Sequence, residues 1–325
     1  MASSCGSQVH VAQLFIYPIK SCGGIAVTDA LVTKNGFLHD RYWVITDEAY
    51  HTLTQREVPR LVLVKPRIVE HPEEPGLAPY LAITAVGYNA PELRLSLYPT
   101  VEETSKFKPC QVSIWKDTVS GYDMGDEAAQ WLGEFLGRPV RLIRRAENEV
   151  RHSRVNAPAP KLLEAPAQTA FADDAPFLLA STESLQDVNE RLDKLVDIRN
   201  FRPNIVVTGG GQPFTEETWK RVQVVPQSTP TNVNNTVRDD TATELYVTAR
   251  CTRCVMTTND PDEGVLAPNH QPLKTLMGYR RVDPGAKYNA CFGMNCVPAN
   301  LGQVIRVNDR VIICETGLHR RVAAA

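Results

Sequence analysis

Short β-branched and aromatic runs, each closed within a few residues by a turn signal, are what most limit the folds open to this chain. A strand is expected from Val9 onward, with others over Ala26 to Val32, Arg41 to Thr46 and Leu61 to Val64. They are separated by Asn-Gly, Asp-Glu and proline signals. Such spacing points to an antiparallel sheet or barrel. Residues 70–91, rich in Pro, Glu and Gly, read as a loop, with Leu93 to Tyr98 as the returning strand and Val140 to Ile143 as another. Helical spacing is confined to a few places. Residues 125–137 carry acids in the first turn and a glycine after the last, and their Trp131 and Phe135 read as core. Ser181 and Thr182 are candidate caps for a second helix, whose buried face is marked by Leu185, Val188, Leu192 and Leu195.

With 325 residues, 43% of them hydrophobic, the chain can bury a core in each of two units. The Glu, Asn, Pro and Ala-rich stretch from Glu147 to Pro166 reads as the connection between them. A net charge of -2 weighs against a general nucleic-acid binder. No apolar run approaches the roughly 18 residues of a membrane span. Eight dispersed cysteines, with no signal-peptide pattern at the start, favour a reducing compartment. The polar stretch Pro226 to Thr243 reads as an inserted surface loop, and its Asn234-Asn235-Thr236 sequon is discounted for want of any sign of secretion.

Chemistry concentrates between Arg250 and Asp262, where Cys251 and Cys254 are crowded by Arg250 and Arg253. Three readings compete. Cys251 and Cys254 could join Cys291 and Cys296 in a tetrahedral zinc site. They could form a redox pair, although Val-Met-Thr-Thr after Cys254 is a poor start for the helix such a pair requires. Or one thiolate could bind a transition metal on an anionic organic scaffold, with the arginines neutralising that scaffold. Residue chemistry alone leaves all three open, with zinc ahead. Elsewhere, Lys20 and Ser21 in the glycine-containing loop after the first strand could meet an anion, as could Arg41. Arg202 and Asn204, held by Pro203 at the mouth of a strand, are placed to do the same.

Five motifs occur in order: Tyr17-Pro18-Ile19-Lys20-Ser21-Cys22, Asp40-Arg41-Tyr42-Trp43, Gln55-Arg56-Glu57-Val58-Pro59-Arg60-Leu61, Phe201-Arg202-Pro203-Asn204 and Arg253-Cys254-Val255-Met256-Thr257-Thr258. Together they resemble the MOSC-domain molybdenum proteins, and among those the mitochondrial amidoxime-reducing components, over about Val9 to Cys314. The resemblance implies an α/β, β-rich fold. A MOSC N-terminal β-barrel-like domain (residues 9–146) would pack against a MOSC β-barrel domain with peripheral helices (residues 147–317), with the cofactor between them.

The same resemblance implies molybdenum ligation by Cys254, which is then also the catalytic residue, and leaves Cys251 as a packing residue. Contacts to the molybdenum cofactor would come from Lys20, Ser21, Arg41, Asp174, Ala175, Arg202, Asn204, Thr252, Arg253 and Asn295. Asn295 stands where animal members have an aromatic residue, and Thr252 where they have serine. The implied activity is reduction of N-hydroxylated compounds such as amidoximes, hydroxylamines and N-oxides. Electrons would come from a cytochrome b5-type donor and its NADH-dependent reductase, with neither nucleic acid nor a membrane span involved. The targeting and anchor segment of the animal proteins has no counterpart at the start of this sequence, so a cytoplasmic location is expected, with mitochondrial association as the alternative. The competing readings are a non-catalytic carrier of sulfurated molybdenum cofactor and the four-cysteine zinc site.

Overall fold

The computed structural model describes residues 8–322 apart from 75, 154 and 228–241. Seven strands close on themselves into a barrel. In order around it they are His10–Ile16, Ile205–Thr208, Phe177–Ser181, Cys291–Pro298, Thr243–Thr252, Trp219–Val225 and Arg310–Thr316, which returns to His10–Ile16. Every neighbouring pair is antiparallel except Phe177–Ser181 with Ile205–Thr208, which run parallel across the helix Thr182–Asn189. That helix opens as expected, with the Ser181 hydroxyl accepting from the Ser184 backbone N–H.

The interior of the barrel is filled by alternate residues of the staves, among them Val11, Leu14, Leu179, Ile205, Val222, Val224, Leu245, Val247 and Met294, all at most 3% exposed. The stave His10–Ile16 belongs by sequence to the first half of the chain. It is held between staves of the second half, with Leu14 opposite Ile205 and His10 opposite Arg310. The two halves are therefore joined by sheet hydrogen bonds as well as by packing.

In the rest of the first half, Ile25–Val27 pairs with His10–Ile16, Asp29–Thr33 pairs with Gly36–Phe37 and with Val304–Arg306 of the second half, and the other strands form two smaller antiparallel sheets. Trp43–Thr46, Arg141–Arg145, Asp117–Asp123 and Lys108–Ile114 make one, and Val64–Val69, Tyr80–Ala85 and Leu93–Ser96 make the other. The helix Asp126–Leu136 covers their shared core through Ala128, Leu132, Phe135 and Leu136, and ends on Gly137 in the left-handed conformation. Phe135 is core as expected, while Trp131 is only partly buried, packed edge-on against Tyr88.

Four expectations change. Ala26 to Val32 is not one strand: the chain breaks at Thr28 into Ile25–Val27 and Asp29–Thr33, which join different sheets. Leu61 to Val64 is not a strand: Pro59 opens a 3-10 turn over Pro59–Leu63, and the strand starts at Val64. Residues 70–91 are not all loop, because Tyr80–Ala85 lies between two strands and pairs with both. Its proline-rich flanks masked a six-residue run. Leu195 is 70% exposed, since the second helix ends at Asn189, before it can bring that side chain onto its buried face. Most of the Pro226 to Thr243 stretch, including the sequon, lies outside the described residues. No helix among the described residues is long and apolar enough to cross a membrane.

Where the barrel meets the loop that carries the thiols, Phe292 stacks on Phe201 with ring centroids 3.8 Å apart, and both rings are fully buried. Truncation in such a place leaves a cavity that its neighbours cannot refill. Phe292→Ala is expected to lower the unfolding free energy by about 3–5 kcal/mol in urea titrations. A loss below ~1 kcal/mol would mean that this stack is not part of the packed core.

Candidate functional site

The barrel gathers loops from both halves at one end. After the stave His10–Ile16, the Tyr17 N–H donates to Asp40 Oδ1 (2.8 Å), and the Lys20 N–H donates to the Trp43 carbonyl (2.8 Å). These bonds hold Lys20 and Ser21 beside Arg41. The Lys20 ammonium donates to the Phe171 carbonyl (2.8 Å) and to Asp173. Burial pushes Lys20 below its ordinary value, with Asp173 opposing. Burial alone would raise Asp173, but Lys20 holds it well below the usual carboxylate range.

Arg41 and Arg202 both lie over the Tyr17 ring, their guanidinium carbons 4.4 and 4.2 Å from its centroid. Burial pushes the Tyr17 phenol up to about 12, so the ring stays neutral between them. Arg41 Nη1 donates to Asp40 (2.5 Å) and to Asn204 Oδ1 (3.1 Å), and its Nη2 donates to the Arg202 carbonyl (3.3 Å). Arg41 is thus paired with a buried carboxylate and also lines the cleft. Arg202 Nη1 donates to the Cys22 carbonyl (2.6 Å), while its Nη2 is buried with no partner. Burial, with Arg41 adjacent, pushes Arg202 down to about 10, still charged at neutral pH. Asn204 spends its amide inside the protein, accepting from the Leu178 N–H and donating to the Phe15 carbonyl. It fixes Arg41.

From the other half, Thr243–Thr252 delivers the thiols. The Arg253 N–H donates to the Ala290 carbonyl (2.8 Å). Its Nη2 donates to the Phe201 carbonyl (2.7 Å) and its Nη1 to Cys251 Sγ (3.0 Å), and its Nε is buried without a partner. Cys254 begins a single 3-10 turn over Val255–Thr258, so the helix a redox pair would need is absent there. Its Sγ accepts from Arg56 Nε at 3.3 Å. Asn295, on the stave Cys291–Pro298, has a buried and unpartnered Nδ2.

Two adjoining clefts result, of about 700 and 1270 Å³ including their open mouths, which share Arg56, Asp173, Asp174, Cys251, Arg253 and Met256. All eleven residues singled out from the sequence line one or both. Lys20, Ser21, Arg41, Ala175, Arg202, Asn204 and Asn295 line the first, Thr252 and Cys254 the second, and Asp174 and Arg253 both. The first cleft sets Lys20, Arg41, Arg56, Arg202 and Arg253 against Asp173 and Asp174, an excess of positive charge suited to an anion. Ser21, Arg41 and Arg202 take left-handed backbone (φ 66, 53 and 56°), which costs roughly 1–3 kcal/mol at each non-glycine position.

Other sequence readings resolve differently. A Cβ on Gly24 would come 2.4 Å from the Tyr17 ring, so this glycine serves close packing there and does not line the clefts. Cys251 also lines both clefts, with desolvation pushing its thiol up. Arg250 points elsewhere, to Glu217 (2.8 Å), Asp283 and the His319 carbonyl. The four-cysteine zinc site is overturned. Cys291 and Cys296 share one strand, roughly 17 Å apart at ~3.3 Å per residue. Zinc ligands must approach to about 2.3 Å from a common point. Among the described residues no group of three His, Cys, Asp or Glu side chains could hold a metal.

Arg56, Asp173, Trp115 and Arg321 were not assigned from the sequence. Asp173 adjoins the chosen Asp174, whose carboxylate is held by Arg321 (2.6 Å). Arg56 stands inside a quoted motif without a role of its own. No local signal marks Trp115 or Arg321.

Residues 8–139 match the MOSC N-terminal beta barrel domain and residues 166–312 the MOSC domain. The chain is 36% identical to mitochondrial amidoxime reducing component 2 of Bos taurus, over 85% of this chain and 74% of that protein. It is 34% identical to mitochondrial amidoxime-reducing component 1 of Mus musculus and of Homo sapiens, in each case over 93% of this chain and 82% of the relative.

A buried guanidinium with an unpaired donor beside a second cation weakens the ligand-free protein. Arg202→Met keeps volume and backbone strain while removing the charge. It is expected not to lower the unfolding free energy of the ligand-free protein in urea titrations, since relief of the crowded, buried charge offsets the lost bond to the Cys22 carbonyl. A loss of stability would show that Arg202 supports the fold rather than a ligand.

Proposed function

The chain belongs to the MOSC-domain family that includes the mitochondrial amidoxime-reducing components, and from that premise we propose that it is a molybdenum-cofactor-dependent reductase of N-hydroxylated compounds. The observation that carries the proposal is the half-buried Cys254 thiol at the wall of a cleft whose cations outnumber its carboxylates. A cofactor with an anionic phosphate and polar ring edges suits what is there. Arg202 Nη2, Arg253 Nε and Asn295 Nδ2 are buried donors without protein partners, grouped along one cleft.

When bound, the molybdenum cofactor supplies the two-electron chemistry that removes oxygen from nitrogen. The chain's own residues bind and orient. Cys254 Sγ is the proposed metal ligand. Lys20, Arg41, Arg202 and Arg253 balance the anionic group, and Ser21, Thr252 and the backbone at Asp174 and Ala175 flank it. Asn204 holds Arg41, and Cys251 holds Arg253, so each of these acts on the cofactor through a neighbour. The thiol lies in the wall of the cleft, next to the 3-10 turn that carries Met256 and Thr257.

The electron donor is proposed on the same footing, as a cytochrome b5-type protein served by an NADH-dependent reductase. The relatives' names place them in mitochondria, which supports an association with that organelle over the open cytoplasm.

Cys254→Ala is expected to fold as the parent does, by circular dichroism, and to lose benzamidoxime reduction in a reconstituted electron-transfer assay. Full activity would remove the ligand role. A parent protein that retains cofactor yet turns over no N-hydroxylated substrate would instead be a carrier. Arg202→Ala or Arg253→Ala should weaken cofactor retention by about 1.5–3 kcal/mol, read as a ten- to hundredfold faster loss of molybdenum on dialysis. Unchanged molybdenum content would remove that arginine from the cofactor's binding set.

A further inference from the structure

Two cations of the Cys254 cleft, Arg56 and Lys116, are still without a role, and Arg56 is the one that reaches the sulfur. Arg56 lines both clefts, yet among the described residues it has no ion pair, and its side chain makes a single hydrogen bond, from Nε to Cys254 Sγ at 3.3 Å. Its guanidinium carbon lies 4.6 Å from the centroid of the Trp115 ring. Trp115 occupies the two-residue turn between Lys108–Ile114 and Asp117–Asp123, with φ 55°. It keeps 58% of its surface exposed, and its Nε1 donates to Asp173 Oδ1 at 3.0 Å. Asp173 is in turn held by Lys20. The result is a chain of contacts from Lys20 through Asp173, Trp115 and Arg56 to the sulfur of Cys254, formed entirely by residues of both halves.

Several features of this arrangement are costly unless the guanidinium has a task. A large aromatic residue takes a left-handed turn position, where glycine or asparagine is the cheap choice. A cation is placed without a carboxylate, although Asp173 and Asp174 are close by and are taken by Lys20 and Arg321. An indole face is a platform that orients a guanidinium without neutralising it. Asp173 feels the charge at a distance, and among the described residues the group that the guanidinium's N–H reaches is the sulfur.

We propose that Arg56 is a positioning residue for the metal-bound thiolate: held flat by Trp115, it donates an N–H···S bond to Cys254 and so raises the reduction potential of whatever metal that sulfur carries. The proposal rests on the reading of Cys254 as the metal ligand. Hydrogen bonds and positive charge at a ligating sulfur withdraw electron density from it and favour the more electron-rich, reduced state of the centre. Trp115 acts on the metal only through Arg56.

The test compares the parent with Arg56→Gln, Arg56→Lys, Trp115→Ala and Trp115→Phe at equal molybdenum content, reading the midpoint potential of the bound metal by redox titration of its visible absorption. Arg56→Gln is expected to lower the reduced-to-oxidised ratio at fixed potential about tenfold, about 30 mV for a two-electron couple. Arg56→Lys, which keeps the charge and loses the fixed fork, should recover part of this shift. Trp115→Phe should match the parent, and Trp115→Ala should shift the same way as Arg56→Gln but by less. A potential in Arg56→Gln equal to the parent's overturns the proposal.

Cys254→Ser separates the two readings: an unchanged metal spectrum in that variant removes Cys254 as ligand, and the proposal with it, whatever Arg56 does. A cofactor-free measurement covers variants that fail to load. In urea unfolding, the double variant Arg56→Gln with Cys254→Ala should depart from the product of the single effects by at least about twofold, as contacting residues do. Strict additivity would mean that the N–H···S contact does not exist in solution, which also overturns the proposal.

Discussion

Everything at this site depends on one pairing: the stave His10–Ile16 lying antiparallel to Ile205–Thr208, with Leu14 opposite Ile205. That register sets the Phe15 N–H on the Asn204 carbonyl (2.9 Å) and brings Tyr17 beside Arg202. A slip of one residue would send Leu14 out of the barrel and Phe15 into it, so the hydrophobic interior itself fixes where the cations stand. Two guanidiniums then share one aromatic ring, an arrangement that like charges resist and that only a rigid frame sustains. The barrel core supplies the rigidity, and Asn204 converts it into a position for Arg41.

The two thiols of the Cys-x-x-Cys pair show how placement separates identical chemistry. Cys251 ends up as an acceptor for Arg253, with its thiol pushed up by desolvation. Cys254 begins a tight turn, half-buried, and takes its hydrogen bond from a residue of the opposite half of the chain. A zinc knuckle would need the pair to converge with Cys291 and Cys296, and one extended strand keeps those two apart. The spacing of cysteines in a sequence constrains a metal site only as far as the backbone between them can bend.

Much of this was legible in advance, for a specific reason. Strand runs, the two longer helices and the caps on them are local properties, and the five ordered motifs carried the family and hence the cluster of Lys20, Arg41, Arg202, Arg253 and Cys254. Residues outside that logic were invisible. Trp115 reaches the site from the turn of a hairpin whose strands alternate buried and exposed residues, but nothing in that local pattern says what the turn will touch, and Arg56 meets Cys254 across 198 positions of sequence. Tyr80–Ala85 was lost behind its flanking prolines, although both neighbours pair with it. Contacts between distant loops follow from topology, and topology was known only in outline.

The site is assembled from features that lower stability: left-handed Ser21, Arg41 and Arg202, a guanidinium at Arg202 pushed down to about 10, and buried donors without partners. Natural chains keep such features where function requires them. An anionic ligand reverses their sign, because it satisfies the donors and offsets the crowded charge in one step. Lys20, Ser21 and Arg41 from the first half and Arg202, Arg253 and Asn295 from the second line one cleft together, so a ligand held as proposed would touch both. Binding free energy gained there would then also hold the halves together, added to what the shared stave already contributes. Weak places in the empty protein and strong places in the loaded one are then the same residues.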